Sequence, residues 1–504
     1  MTNHLKTEVL ICGAGAAGLT LAIELARRGV PFRLIEKMTT PFSGSRGKGI
    51  QPRTQEVFED LGILDKIVAN GGLYPRQRRY RDDGSYIDAD MSEPTEATPA
   101  EPYHLPLMIP QFLTEHIMRE RLNELGRRVE FGCELLGFEQ DANGVTARLA
   151  GPTGEKTLHA RYLVGADGGR SFVRKALGVG FPGKALGVHA LVADVTLTGL
   201  DRDAWHQFND GDMQRMVAIC PLAGTELFQI QAPIPSNAQA DLSAAGLTAL
   251  VAGRTGRADI IMHSVSWASN YQMNARLAER YRVGRVFLVG DAAHVHPPTG
   301  GQGLNTSVQD AYNLGWKLAT ALNGAREDLL DSYEAERRPV AEAVLGLSAR
   351  LLNAQRQGGM RRGREVRQLD IGYPDSRLAK ELPERKSGIR AGGRAPDAPV
   401  RGAAGQPSRL FQLFQGPHWT LLVHEAGLIT VRPRPGLRVH HVGPKGDVID
   451  ACGHIRDAYE LAPGDCVLIR PDGYVGATFD ADQSAKIEIY LARMGVVQQE
   501  EGTE

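Results

Sequence analysis

Asp291 closes a short apolar run, Val286–Val289, and is followed by Pro298, Gly300, Gly301 and Gly303. A carboxylate at a strand end can accept hydrogen bonds from sugar-like hydroxyls. The three glycines remove side chains, so a flat ring can lie against bare backbone. A long amphipathic pattern begins near Leu304 and Asn305, and its N-terminus would aim the positive end of a helix dipole at that ring. Negative charge gained by such a ring would be stabilised there by roughly 0.3–2 kcal/mol. The plainer alternative is a glycine loop that only caps a helix.

A second set opens the chain. Gly13, Ala14, Gly15, Ala16, Ala17 and Gly18 lie between the apolar strands Val9–Cys12 and Phe32–Glu36. Glycines at this spacing permit a tight turn and a close approach of backbone to pyrophosphate, which the following helix N-terminus favours. Glu36, followed by Lys37, sits where an acid would accept ribose hydroxyls. This motif alone does not separate NAD from FAD. Joined to the Asp291 loop, it implies a flavin, and oxidation chemistry. A third motif, Gly165–Arg174, presents Asp167 between a strand and a short helix. By itself it reads as an Asp-Gly turn with Ser171 as a cap. His294 and His296 have no neighbouring carboxylate or cysteine set, so no metal site is expected. Trp205, Phe228 and Trp267 either line an aromatic pocket or fill the core of a sheet, the usual fate of aromatics on alternating strands.

The elements that must position these residues follow from periodicity. The N-terminal strand, a helix through Arg28 and the Phe32–Glu36 strand form a β-α-β unit. Gln55–Val68 and Pro110–Leu125 read as helices and Tyr80–Asp90 as a hairpin. Short alternating segments from about Gly180 to Trp267 predict a mostly antiparallel sheet inserted into the nucleotide-binding domain. Ser332–Gln357 reads as a long helix and Gly358–Arg394 as a linker. New strands begin near Thr420. The domains expected are 1–180 with 268–390 around the cofactor (76–102 being free to join the substrate side), 181–267 for substrate, 391–497 at the C-terminus and a disordered tail at 498–504. A net charge of −1 over 504 residues gives no basic field for nucleic acid. No apolar run approaches the ~18 residues a membrane helix needs. The start lacks a signal-peptide layout, and five scattered cysteines suit reduced thiols and a cytoplasmic home.

The three motifs, in this order, resemble those of the class A flavoprotein aromatic hydroxylases. The similarity is strongest to the branch of 3-(3-hydroxyphenyl)propionate hydroxylase, pentachlorophenol monooxygenase, rifampicin monooxygenase and the polyketide hydroxylases. Gly284–His294 and Gly301–Asn305 carry it most specifically, and it covers nearly the whole chain. The resemblance implies a Rossmann-like FAD domain with an inserted substrate sheet. It also implies a thioredoxin-like C-terminal domain, redox-inert because no C-x-x-C pair is present. It implies FAD held by Gly13, Gly15, Gly18, Glu36 and Asp291, with the Gly300–Asn305 loop against the isoalloxazine. Arg46 would stand beside the flavin and Gln111 near the ribityl or pyrophosphate. Otherwise Arg46 is a surface arginine and Gln111 an ordinary first residue of a helix. NADPH or NADH would dock transiently, with Asp167 contributing. An aromatic substrate would be hydroxylated with O2 through a flavin C4a-hydroperoxide. Epoxidation or Baeyer–Villiger oxygenation is the nearest alternative, and an FAD-holding sequestration protein is an alternative of another class. A monomer or homodimer is expected, with no protein base singled out.

Overall fold

The computed structural model describes residues 5–212, 214–235, 240–356, 362–382, 387–426 and 429–497. The tail at 498–504, expected to be disordered, lies outside the described residues, as do 358–361 and 383–386 of the expected linker.

The opening strands are apolar on both faces, the pattern of strands covered on both sides by other elements. Val9, Leu10, Ile11, Leu34, Ile35, Leu163, Val164, Val286 and Phe287 are all buried. They form a parallel sheet in which Val129–Phe131, Phe32–Glu36, Leu5–Cys12, Gly154–Gly165 and Val286–Leu288 lie side by side. Helices Ala16–Ala26 and Gly303–Leu322 pack against each other over it. The first helix stops at Ala26, short of the expected Arg28. The single helix expected over Gln55–Val68 is two, Pro52–Asp60 and Leu64–Asn70, broken where Gly62 takes φ +72°.

A second, eight-stranded sheet contains the inserted region. Its longest pair is Gly183–Thr198 against Ile261–Leu277, so the strand expected to end at Trp267 continues past it. The hairpin Arg76–Tyr80/Tyr86–Ala89 joins it at one edge and His294–Val295 at the other. Helix Ala244–Thr255 covers its outer face through Leu247 and Val251. Neither this helix nor the strand Ala204–Phe208 was expected.

The C-terminal sheet has Trp419–His424 at its centre. That strand is parallel to Leu437–Val442 and antiparallel to Asp465–Ile469, which hairpins into Val475–Asp480. Helix Ser484–Arg493 follows. This is thioredoxin-like strand order, and its Cys452 and Cys466 are free thiols.

A buried ionic cluster locks this unit to the two long helices. Glu336 accepts from both guanidinium nitrogens of Arg470 at 2.8 and 2.9 Å and from Lys317 at 2.7 Å. Asp472 pairs with Arg470 at 2.6 Å and accepts from Trp316 Nε1 at 3.0 Å. Burial works to raise the Glu336 pKa, but Arg470 and Lys317 overcome it and hold the group well below the usual carboxylate range. Glu336→Ala would leave two cations buried with too little negative charge, a cost on the order of 3 kcal/mol. The variant should denature at lower denaturant concentration than the wild type, with Trp316 and Trp419, 5.6 Å apart edge to face, becoming hydrated together in the fluorescence signal.

Candidate functional site

The parallel strands end at one edge, and three of the loops leaving them meet there. In open α/β sheets ligands bind at that carboxyl edge. Gly13 takes φ +106°, and a Cβ on it would overlap the Ala166 carbonyl. Backbone bonds fix the rest of the crest: Gly13 N–H donates to Ile35 O at 2.8 Å, Ala166 N–H to Cys12 O at 2.8 Å and Val289 N–H to Gly165 O at 3.0 Å. A Cβ on Gly18 would overlap the Gly13 carbonyl, so this glycine serves helix–strand packing. Gly15 is the N-cap of Ala16–Ala26 and supplies no side-chain cap; its Cα faces open space apart from Glu115. Glu115 faces the Ala16 N–H, and the next N–H groups of this helix, that of Ala17 among them, are open to an anion. Glu36 accepts from Ala14 N–H and Met38 N–H, both at 3.0 Å, which braces the turn and leaves carboxylate lone pairs free. Lys37 is exposed.

The Asp291 loop enters from the neighbouring strand end. Gly290 is wedged between Ala17 of the first helix and Ser307 of the Gly303–Leu322 helix, so both helix N-termini close on one recess. Asp291 is water-accessible in that recess. Surrounding protein nevertheless strips enough hydration to raise its pKa, against the pull of His294 and Arg46. Gly300 and Gly301 take left-handed φ of +86° and +63°, and Gly301 N–H turns back to Pro298 O at 3.1 Å. The helix begins at Gly303 with no side-chain cap. Asn305 is fully buried. It accepts from Gln51 N–H at 2.8 Å and donates to Gly49 O and Gly301 O at 2.8 and 2.7 Å, so its side chain latches the loop and is not free for a ligand. Leu304 packs beside Gly47.

The remaining sequence-derived residues divide. Gln111 is the first residue of helix Gln111–Glu124, and it also works as a link: its Oε1 accepts from Gly47 N–H at 3.1 Å and its Nε2 donates to Glu115 at 2.8 Å. Asp167 caps the short helix Phe172–Ala176 through Phe172 and Val173 N–H at 2.7 and 3.1 Å. Its other oxygen is buried without a partner. His294 is committed to Asp310 at 2.7 Å, and Asp310 to Arg337 at 2.7 Å. His296 stacks on His294, and burial lowers its pKa to about 4. The three aromatics separate by strand register. Asp194 pairs across the sheet with both Gln229 and Trp267, which puts Trp267 on the inner face, toward the recess. Phe228 falls on the outer face in the helix-covered core, whereas Trp205 joins Met91, Met108 and Cys220 on the inner side.

Residues 6–348 match the FAD binding domain family. The chain belongs to it. It is 41% identical over 492 residues to the flavin-dependent monooxygenase of Mycobacteroides abscessus, covering 96% of this chain and 99% of that protein. Among solved structures it resembles the flavin-dependent monooxygenase PieE in complex with FAD and substrate, at TM-score 0.85 and 26% identity over 98% and 100% of the two chains. It also resembles a ternary complex of aklavinone-11 hydroxylase with FAD and aklavinone, at TM-score 0.83 and 28% identity over 98% and 99%. The chain is an FAD-dependent monooxygenase of the aromatic-hydroxylase class, its cofactor is FAD, and NAD(P)H is the reductant typical of such enzymes. The recess fits that cofactor: one end presents bare helix N–H groups, and the other a flat backbone floor.

Sequence reasoning missed Glu115, one helical turn beyond Gln111 and on the same face, where i, i+4 spacing was the available signal. It is 1% exposed and faces the Ala16 N–H. Burial pushes its pKa up to about 7, against Gln111 and Arg119. Between its ordinary value and 7 the folded chain holds a proton that the unfolded chain has lost, so stability falls as pH rises through this window and levels off above it. Glu115→Gln should remove that loss. Apoprotein denaturation at pH 8 should then show the variant more stable than wild type, by on the order of 2 kcal/mol, and little different at pH 4.

Proposed function

We propose that this chain uses NADPH or NADH and O2 to hydroxylate a phenolic or polycyclic aromatic, with FAD lying across the recess described above. The observation that carries this reading is convergence. Two uncapped helix N-termini, three strand-end loops and the inner face of the second sheet meet at one place.

In this reading Gly13, Gly15, Ala16, Ala17 and Gly18 seat the pyrophosphate, while Glu36, with Lys37 beside it, takes the adenosine ribose. Asp291 accepts from the remaining cofactor hydroxyls, with Gln111 and Asp167 flanking. Pro298, Gly300, Gly301, Gly303, Leu304 and Asn305 form the floor under the ring, and Arg46 borders it. Bound FAD supplies reductive activation of O2 and delivery of one oxygen atom to the substrate. The protein's own contribution is to orient the aromatic against the ring and to exclude water. The helix N-terminus at Gly303 favours negative charge at the edge of that ring. Trp267 and Trp205 on the inner sheet face supply flat apolar surface, and the half-buried Gln231 supplies a hydrogen bond, while Gln229 beside it is taken up by protein partners.

The division of labour that suits this reading is 1–180 with 268–390 for FAD, 181–267 with the 76–102 segment over the substrate, and 391–497 as a brace. Five unpaired cysteines, four of them buried or half-buried, support a reducing, cytoplasmic setting. A monomer or homodimer accommodates the site, since every residue invoked lies in one chain.

A panel of phenols and polycyclic aromatics should contain compounds that accelerate NAD(P)H oxidation by the FAD-loaded enzyme, with one atom of labelled O2 in the product. If none does so while FAD is bound stoichiometrically, the hydroxylase reading fails and a sequestration role takes its place. Asp291→Ala should raise the FAD dissociation constant by roughly 10- to 100-fold in a chain that still folds, the loss expected for hydrogen bonds to a charged group. Unchanged affinity would remove Asp291 from the cofactor site.

A further inference from the structure

Arg46 stands at a seam. On its C-terminal side the chain belongs to the cofactor domain: Gly47 O accepts from Gln111 N–H at 2.9 Å, and Lys48 O from Ile109 N–H at 3.0 Å. On its N-terminal side the chain is held by the substrate sheet. Ser45 N–H donates to Asp194 Oδ2 at 2.8 Å and Ser45 Oγ binds the other oxygen of that carboxylate. Gln229 Nε2 donates to the Ser45 backbone carbonyl and to Ser45 Oγ. Gln229 Oε1 in turn accepts from Lys48 Nζ at 2.7 Å and Gln231 Nε2 at 2.6 Å, which fixes the amide's orientation. Asp194 and Gln229 are fully buried, 149 and 184 residues distant from Ser45 in the chain. Trp267 completes the grip. Its ring lies where a side chain on Gly44 would go and meets Phe42 edge to face at 5.4 Å. The Arg46 guanidinium rests on both rings, 5.3 Å from Phe42 and 5.8 Å from Trp267, and has no ion pair among the described residues.

We propose that Trp267 and Asp194 are positioning residues for Arg46, so that the inner face of the substrate sheet sets where this cation stands over the cofactor recess. The inference rests on the reading of Arg46 as a flavin contact. A guanidinium with ring contacts and no carboxylate within ion-pair distance, Asp291 acting on it only from further off, has its charge available to a ligand, and the stack restrains a long side chain that would otherwise rotate freely. The clasp at Ser45 fixes the backbone one residue away. Substitutions in the substrate sheet would therefore alter cofactor binding with no contact to the cofactor.

A double-mutant cycle on FAD affinity tests this, using full-length apoprotein titrated with FAD and followed by flavin fluorescence, with the flavin absorbance spectrum as a second readout. Arg46→Ala and Trp267→Leu should each weaken FAD by about five- to tenfold, and the double variant should be no weaker than Arg46→Ala alone. Trp267→Phe, which keeps a ring face, should restore affinity to near wild type. Asp194→Asn should weaken FAD only when Arg46 is present; if that variant does not fold, the Trp267 cycle decides. Multiplicative losses in the Arg46/Trp267 double variant, or a Trp267→Leu protein with wild-type affinity beside a weakened Arg46→Ala, overturn the proposal. An Arg46→Ala protein with unchanged affinity and spectrum instead overturns the flavin-contact reading beneath it.

Discussion

The whole site depends on one close approach: the Ala166 carbonyl occupies the space that a side chain on Gly13 would fill. Two adjacent parallel strands can end this near each other only if one of the turns carries no Cβ and tolerates φ +106°. Once they do, Ala166 N–H reaches Cys12 O, Val289 N–H reaches Gly165 O, and the three loops are registered to within a hydrogen bond of one another. The helix N-termini are then aimed by the sheet, since each helix follows its loop directly or, for Gly303–Leu322, through the Gly300–Gly301 turn. Electrostatics is added at no further structural cost, because uncapped N–H groups are a default of any helix that begins in glycine.

The polar groups around the recess divide into those that hold geometry and those that face it. Asn305, Gln111, Asp310 and Arg337 have their principal hydrogen-bonding groups taken by protein partners. Asp291 and Arg46, both exposed, and one buried oxygen of Asp167 have no hydrogen-bond partner among the described residues. In a buried network a satisfied group rigidifies, while an unsatisfied one is costly unless a ligand completes it. That division separates support from contact more sharply than residue type does: Asn305 lies in the glycine loop itself, yet it binds Gly49, Gln51 and Gly301.

What could be read from the sequence was local. Strand, glycine turn, helix and second strand lie within about thirty residues, and their chemistry is written in adjacent positions. The Asp291 loop is local in the same way. The partners of those residues are not. Ser45 and Asp194, or Glu336 and Arg470, are joined by folding across more than a hundred residues, and no periodicity records which acid meets which base. The helix Ala244–Thr255 escaped notice because Ala, Gly and Thr fill most of it and only Leu247 and Val251 are buried, too weak a stripe to announce a helix. Gly62 falls inside the helix expected over Gln55–Val68, and its left-handed φ makes it a stop. Phe228 and Trp267 look alike in sequence, and only strand register puts them on opposite faces.

The C-terminal unit bears on the cofactor domain through charge as well as apolar surface. Arg470 and Asp472 enter a pocket made by Lys317, Glu336 and Trp316, while Arg53 bridges Glu56 and the Asp472 carbonyl. An apolar interface of this size would be at least as stable. What a charged one adds is register: bidentate guanidinium contacts tolerate neither sliding nor rotation, as greasy surfaces do. Of the helices so fixed, Gly303–Leu322 begins at the floor of the recess, and Asp331–Arg356 is tied to its first half through Arg337 and Asp310. The C-terminal unit therefore bears on the recess without touching it, by fixing the helix whose uncapped N-terminus closes on it.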